Sequence, residues 1–463
     1  MSKPGQSDRP RAAALYESAK KIYPREIDGR YARLSKLATY SLLGLFYLLP
    51  WLIWDGRQAF LFDLPARKFY LLGLTLWPQD FIYLAWLLMM AAFSLFFFTA
   101  LAGRLWCGFA CPQTVWTEAF IWMEQWTEGT RSQRMKLDKA PWSWNKLRRK
   151  GSKQLLWITF SLWTGFTFVG YFMPIRQLGV DILALNVGGW TLFWGLFYGF
   201  ATYGNAGYLR EQVCKYMCPY ARFQSAMFDK DTLIISYDEK RGEPRGGRKR
   251  SVDRKAEGLG DCIDCQLCVQ VCPTGIDIRD GLQYECIACA VCIDACDSIM
   301  DKMGYPRGLV RYTTEHAMQG EKTRVIRPRM FVYAALLTIL LTALITSMVT
   351  RTPVILDIIR DRNTLYRELP GDLIENTYTI KLINQSNDPR SFMLSVDGVP
   401  GLTLDGVADT IAVEGGGVLS LPVRARTHRD NAYGIMNITF SVTAADDGDI
   451  TVTEDSRFLG PTP

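Results

Sequence analysis

Histidine is almost missing from this chain. Only His316 and His428 occur, which argues against a haem on axial histidine and against a histidine-based zinc site. No G-x-G-x-x-G run stands between an expected strand and an expected helix, so no dinucleotide site is read. Residues 1–36 are polar and basic, with no short apolar core leading to a small-residue cleavage site, and no removable signal peptide is expected. The last hundred residues hold no cysteine, so a core there must stand on packing alone.

Long apolar runs are plentiful. They lie at roughly 38–54, 80–101, 155–173, 184–203 and 331–349, each long enough to cross a bilayer. Asn186 and several glycines interrupt the fourth. Lysine and arginine set the direction: residues 1–37 carry nine, 102–154 ten and 204–330 twenty, against three in 55–79 and Arg176 alone in 174–183. This alternation predicts a multi-pass helical protein of a bacterial inner membrane, with the N-terminus and the segment 204–330 cytoplasmic and the C-terminal part periplasmic.

Eight of the twelve cysteines crowd into residues 261–301. The first run is Cys262-x2-Cys265-x2-Cys268-x3-Cys272-Pro273; the second is Cys286-x2-Cys289-x2-Cys292-x3-Cys296, followed by Asp297 where proline is usual. Three thiolates two residues apart wrap one face of a cubane, and the fourth, after a helical turn, ligates the neighbouring cluster. Cys262, Cys265, Cys268 and Cys296 are thus expected to hold one [4Fe–4S] cluster, and Cys286, Cys289, Cys292 and Cys272 a second. Zinc would want two pairs of cysteines rather than a repeated run of four. Disulfides are disfavoured in a reducing cytosol.

The other four thiols form two matching motifs, Cys107-x3-Cys111-Pro112 and Cys214-x3-Cys218-Pro219, directly after the second and fourth apolar runs. Proline disfavours helix for the residue before it and suits the first turn of a new helix. The second cysteine of each pair is therefore expected at a helix N-terminus, where a thiolate is favoured. Free cysteine is often just a small buried apolar residue, but the repetition of spacing, proline and position favours a functional site. Soft thiolates at a membrane edge prefer Cu(I); an extra iron–sulfur cluster or a redox-active disulfide would use the same atoms, and spacing separates none of the three. After the first pair, QTVWTEAFIWMEQW (113–126) has the aromatic and acidic mix of a helix lying at the membrane surface.

Beyond the fifth run, TYTIKLIN (377–384), RSFMLSVDG (390–398), VLSLPVRAR (418–426) and NITFSVTAA (437–445) alternate apolar and polar residues between turn-forming stretches. About seven strands are expected, in an all-β immunoglobulin-like sandwich. From residue 350 onward ten basic side chains face sixteen acidic ones, which suits a solvated lobe and allows a docking surface; His428 reads as a surface residue. RGEPRGGRKR (241–250) reads as a solvated linker, with contact to anionic headgroups as the alternative. The expected domains are a basic N-terminus (1–37), a four-helix membrane domain (38–230), a two-cluster ferredoxin-like domain (231–329), a fifth transmembrane helix (330–350) and the outer sandwich (351–463).

Together with WCGFACPQTVWTE (106–118) and CKYMCPYARFQSAM (214–227), this order of parts resembles the FixG/RdxA/CcoG family, the cytochrome c oxidase accessory proteins, over essentially the whole chain. The resemblance implies assembly of cbb-type oxidases through reduction of Cu(II) to Cu(I), an oxidoreductase role. It implies two [4Fe–4S] clusters on Cys262 to Cys296 and copper, as substrate or transient ligand, at Cys107, Cys111, Cys214 and Cys218. Partners would be the membrane and oxidase subunits or copper-delivery proteins. No nucleic acid is expected, the electron donor is not named by the sequence, and homo-oligomerisation is left open. Two other functions compete: a quinol-linked membrane ferredoxin, and a non-catalytic assembly scaffold.

Overall fold

The structure, a computed structural model, describes residues 21–462 apart from 253, 255, 256, 363, 387, 447 and 449. Residues 1–20 of the basic N-terminal segment thus lie outside the described residues. The chain divides into two compact units, Met1–Leu341 and Thr342–Pro463.

Each of the five long apolar runs lies on a helix of the described chain. The first belongs to α1 (Arg30–Leu48), which starts among charged residues and gives way at Leu49–Trp51 to a 3-10 turn. A small hairpin, β1 (Ile53–Trp54) with β2 (Arg57–Gln58), follows, and then a meander of β3 (Phe60–Asp63), β4 (Lys68–Leu71) and β5 (Leu74–Leu76). The second run is α2 (Phe81–Ala102). Short α3 (Leu105–Phe109), α4 (Pro112–Glu128) and α5 (Arg131–Lys139) lead to α6 (Trp144–Val169), which contains most of the third run, and then to α7 (Ile175–Leu183). The fourth run forms α8 (Gly189–Thr202), continued by a π-helical stretch Tyr203–Leu209.

Among the described residues, two helices are both long and apolar enough to cross a membrane by length and composition: α2 and α14 (Pro328–Val349). The others fall short for definable reasons. Helix α1 carries Arg30, Arg33 and Lys36, the first turns of α6 are basic, and α8 has 14 residues before its geometry changes to π. Helices α6 and α8 approach closely because both are glycine at the crossing. A Cβ at Gly165 would lie 2.1 Å from the Gly195 carbonyl oxygen, a contact no larger residue permits.

The surface-helix expectation for 113–126 is overturned. Helix α4 packs against α1 and α6 and buries Val115, Ala119, Phe120, Ile121 and Met123 together with both of its later acids. Glu124 is met by Arg134 (3.1 Å) and Arg210 (3.0 Å), and Glu128 by Lys150 (3.0 Å) and Lys153 (3.4 Å). Paired in this way, the carboxylates are desolvated without being left unbalanced.

After α9 (Pro219–Met227), strand β6 (Ile234–Tyr237) pairs antiparallel with β7 (Val310–Thr313). Between them run α10 (Glu239–Gly242), α11 (Leu267–Val271) and α12 (Val291–Met303), and α13 (Glu315–Gln319) precedes α14. This β6–β7 frame holds both cysteine runs. It is tied to α1 through Asp294 of α12, whose carboxylate accepts from Ala32 N (2.8 Å) in the first turn of α1, which has no cap of its own.

In the second unit, β8 (Val354–Arg360), β9 (Arg367–Leu369), β10 (Leu373–Asn384), β11 (Arg390–Asp397), β12 (Thr403–Asp405), β13 (Ile411–Val413), β14 (Val418–His428), β15 (Ile435–Ala444) and β16 (Thr451–Leu459) form two sheets. One has the order β12-β14-β10-β8, with β9 beside β10; the other is β13-β11-β15-β16. The count exceeds the seven expected because β9, β12 and β13 have three residues each, too few to show alternation. Fully buried Tyr378, Phe392, Phe440 and Phe458 fill the cysteine-free core, and Tyr378 donates its hydroxyl to the Arg457 carbonyl (2.9 Å).

Candidate functional site

The two cysteine runs fold alike. In the first, Asp264 and Gln266 have φ of +52° and +54°; at the equivalent places in the second, Ala288 and Ala290 have +56° and +62°. None is glycine, so each left-handed residue carries a conformational cost that its surroundings must offset. The repetition makes both loops turn tightly and bring three thiols to one side. The first loop feeds α11, with Cys268 inside it and Cys272 as its C-cap; the second feeds α12, which carries Cys292 and Cys296.

Helices α11 and α12 pack through Leu267, Val271 and Ala295. That packing exchanges the fourth cysteines. Cys262, Cys265, Cys268 and Cys296 line one small cavity, walled by Ile299, Met300 and Val310. Cys272, Cys286, Cys289 and Cys292 line another, walled by Ile276, Ile278 and Ile287, with Cys268 also at its border. Among the described residues no three His, Cys, Asp or Glu side chains stand close enough to hold a single metal ion. The sets suit a group with several spread-out corners better than one ion. Loss of water raises the thiol pKa values, Cys268 and Cys296 to about 12 and Cys286 to about 11. Loading such sites must therefore displace protons.

Asp297 is accounted for by helix length. Pro273 follows α11, which has ended at Val271, whereas α12 runs on to Met303. Proline at 297 would remove a hydrogen bond inside α12 and clash with the preceding turn. The aspartate instead accepts from Gly308 N (2.9 Å) on the approach to β7.

The two C-x3-C-P motifs converge. Cys111 is the N-cap of α4 with Pro112 at its first position, and Cys218 is the N-cap of α9 with Pro219. The first cysteines differ: Cys107 sits in α3, Cys214 in a π-helical turn Val213–Met217. Cys107 donates from Sγ to Oε1 of Gln224 (3.2 Å), a fully buried residue of α9, so the helix after the second motif reaches back to the first. Cys107 lies within electrostatic reach of Cys111, Cys214 and Cys218, and Cys214 within reach of Cys111 and Cys218. Burial pushes Cys107 up to about 12 and Cys214 to about 11, while the Arg104 guanidinium pulls both down. Burial raises the Cys111 thiol, opposed by backbone N–H donation from Gln113 and Thr114.

Residues that sequence reasoning passed over join these thiols to the second cysteine run. Gly108, between Cys107 and Cys111, lies against the backbone of that run: a Cβ there would sit 2.8 Å from Ile287 O and 2.9 Å from Cys289 N. Arg104, 3% exposed, donates to the carbonyls of Ala221 in α9, Tyr284 and Cys286. Arg210, four residues before Cys214, pairs with Glu124 of the helix that follows Cys111. The only sequence signal was a glycine inside WCGFACP. The two histidines take no part: His316 bonds to Asp231 (2.8 Å) and His428, half exposed, to Asp430 (3.2 Å).

Comparison with known proteins agrees with this arrangement. Residues 209–315 match the family model of a 4Fe-4S dicluster domain, residues 83–129 that of a 4Fe-4S binding domain, and residues 344–461 that of the IG-like fold at the C-terminal of FixG. The class is thus an iron–sulfur protein with candidate membrane helices and a C-terminal immunoglobulin-like domain. Within that class, the chain belongs to the FixG/RdxA/RdxB family. It is 38% identical to the nitrogen fixation protein FixG of Rhizobium meliloti, over 88% of this chain and 87% of that one. It is 41% identical to protein RdxB of Cereibacter sphaeroides, over 85% of each, and 38% identical to RdxA of the same organism, over 94% of this chain and 92% of that one.

Proposed function

We propose that this protein is a multi-pass inner-membrane oxidoreductase that reduces Cu(II) to Cu(I) for the assembly of cbb-type cytochrome c oxidase. The observation that carries the reading is the backbone contact of Gly108 with the Ile287–Cys289 loop, which sets the C-x3-C-P thiols beside one of the two cysteine-lined cavities. In this reading Cys262, Cys265, Cys268 and Cys296 hold one [4Fe–4S] cluster, and Cys272, Cys286, Cys289 and Cys292 the other. When bound, such clusters supply one-electron storage and transfer.

The residues' own work is recognition and positioning. Cys107, Cys111, Cys214 and Cys218 present soft sulfur, which favours Cu(I) over Cu(II) and so draws the substrate ion toward gaining one electron. Arg104 places a buried positive charge near Cys107 and Cys214, easing loss of their protons as the ion arrives. Gln224 holds the Cys107 sulfur in place. Copper enters this reading as substrate or transient ligand at these four thiols.

Five spans are supported by exposed apolar side chains on every candidate helix, and the sidedness, with the cysteine-rich domain cytoplasmic and the immunoglobulin-like domain periplasmic, rests on the lysine and arginine alternation. Examples are Leu37 and Leu45 on α1, Leu88 on α2, Leu155 on α6, Phe200 on α8 and Ile339 on α14. The link to oxidase assembly rests on the family resemblance, with the acidic outer domain as docking surface. The test is trapping of Cu(I) by a chelator after Cu(II) is added to reduced, purified protein. Serine at Cys107, Cys111, Cys214 and Cys218 together should slow Cu(I) formation; an unchanged rate removes the reading.

A second reading has one observation in its favour. The 4Fe-4S binding domain match at 83–129 encloses Cys107 and Cys111 and none of the eight clustered cysteines. If the four outlying thiols hold iron, their replacement by serine lowers iron by about four atoms per chain; in the copper reading iron stays at about eight.

A further inference from the structure

A half-open cavity of about 140 Å³ lies between the N-terminal segment, α1, α4 and the second cysteine loop. Its size is close to the roughly 150 Å³ of an apolar cavity that takes up one benzene ring. Ile22, Ile121, Trp122, Val271 and Val291 give it apolar walls, Ser35 and Thr117 line it with hydroxyls, and Arg25, Glu26, Lys36, Glu118, Arg210 and Glu211 add charged groups. Cys214 of the second C-x3-C-P motif and Cys289 of the second cysteine loop both border it. Nothing in the copper chemistry needs a space of this shape, since an ion requires neither ring-sized room nor apolar walls.

Glu118 is the acid that α4 contributes to this lining. Trp122 Nε1 donates to one of its carboxylate oxygens (3.0 Å), and among the described residues it has no salt bridge. This differs from Glu124 and Glu128, about two and three turns further along α4, both matched by cations. Burial raises the Glu118 pKa, opposed by the Trp122 hydrogen bond and Lys36 and reinforced by Glu26; a carboxylate accepts a hydrogen bond, and a carboxylic acid can also donate one. From the cavity's α1 wall the helix continues to Leu37 and Tyr40, 62% and 61% exposed, and Tyr40 packs on Trp122 with ring centroids 4.8 Å apart. An apolar tail on a bound ring would have a path along that face.

We propose that this cavity binds the ring of a membrane-soluble para-quinone or its hydroquinone, with Glu118 hydrogen-bonded to a ring oxygen and Trp122 against the ring face. The proposal rests on the membrane placement given above, because such carriers dissolve in lipid. A ligand in the cavity is next to both sulfur assemblies, which makes it the natural class of molecule to exchange electrons with this protein.

The test uses the full chain in detergent, with a photoreactive azido-benzoquinone bearing a decyl tail as probe and decylubiquinone as competitor. Labelling should fall in residues 22–36 or 113–125 and be suppressed by the competitor. Glu118→Leu, which removes every donor and acceptor from the side chain, and Ser35→Phe, which puts a ring into the lining, should each weaken binding about tenfold at unchanged iron content, the effect of one lost hydrogen bond or of lost room for the ring. Labelling elsewhere, labelling insensitive to competitor, or wild-type affinity in Glu118→Leu overturns the proposal. If Ser35→Phe lowers iron content, the Glu118→Leu result decides alone. The readout is binding, so a failure of copper reduction leaves it intact, and a failure to bind quinone leaves copper reduction intact.

Discussion

Gly108 and Cys289 touch through their backbones. A single added carbon on Gly108 would come within 2.9 Å of Cys289 N and Cα. One residue belongs to a C-x3-C-P motif and the other to the cysteine-rich insert, so the contact fixes how near the two sulfur assemblies come.

Gly108→Ala therefore separates docking from local folding. The methyl group must displace the Ile287–Cys289 backbone, at a cost of about 1–3 kcal/mol for overpacking. The expected outcome is a lower melting temperature and an altered electron paramagnetic resonance signal from the cluster proposed on Cys272, Cys286, Cys289 and Cys292. The signal of the other cluster should stay as it is. Equal change in both signals would show that the contact is not local to the second loop.

Asp297→Pro would restore the usual cysteine–proline pair and yet harm the protein. It breaks α12 in mid-course, costing about 3 kcal/mol or more, and removes the acceptor for Gly308 N. Asp297→Asn keeps an acceptor oxygen and should cost under about 1 kcal/mol. Thermal unfolding with iron analysis distinguishes the two variants.

Glu124→Gln should be among the most damaging single changes outside the cysteines. It leaves Arg134 and Arg210 buried without their counter-charge, a loss of about 3–5 kcal/mol. Asp28→Asn, which breaks the exposed pair with Arg33, should leave the melting temperature within error. The comparison is read from thermal denaturation of the two variants side by side.

Asp138 supplies a pH dependence. Burial alone would raise its pKa, but Lys150, Tyr23 and Lys21 outweigh that and hold the carboxyl well below the usual range. A depressed folded value means the stabilisation is complete above the unfolded pKa of about 3.9 and is lost as the pH falls below it. The difference in melting temperature between the wild type and Asp138→Asn should be full at neutral pH and shrink on acidification toward pH 3. A difference that is constant with pH would exclude a charged role for Asp138.

What could be read from the chain beforehand was what is local in it. Cysteine spacing pointed to two sets of four thiols, because three ligands of each set lie within one loop. Proline after Cys111 and Cys218 placed both at helix starts, and the fold agrees. The left-handed positions escaped notice because Ala288 and Ala290 carry no glycine mark. Arg104 escaped because its acceptor at Tyr284 is 180 residues away. Helix α4 was misread since amphipathic acids at a membrane surface and acids buried against Arg134, Arg210, Lys150 and Lys153 look the same in a single segment. Charge partners far apart in sequence leave no trace in either segment alone.

The most direct measurement is the rate at which Cu(II) reoxidises the reduced clusters in one turnover, followed by rapid freezing and electron paramagnetic resonance. The wild type is compared with protein carrying serine at Cys107, Cys111, Cys214 and Cys218. Fast loss of the cluster signal in the wild type, at least about tenfold slower loss in the variant (1.4 kcal/mol of barrier), and equal cluster content in both are the predicted results. Equal rates in the two proteins would contradict the account, since copper would then be reached without the four thiols.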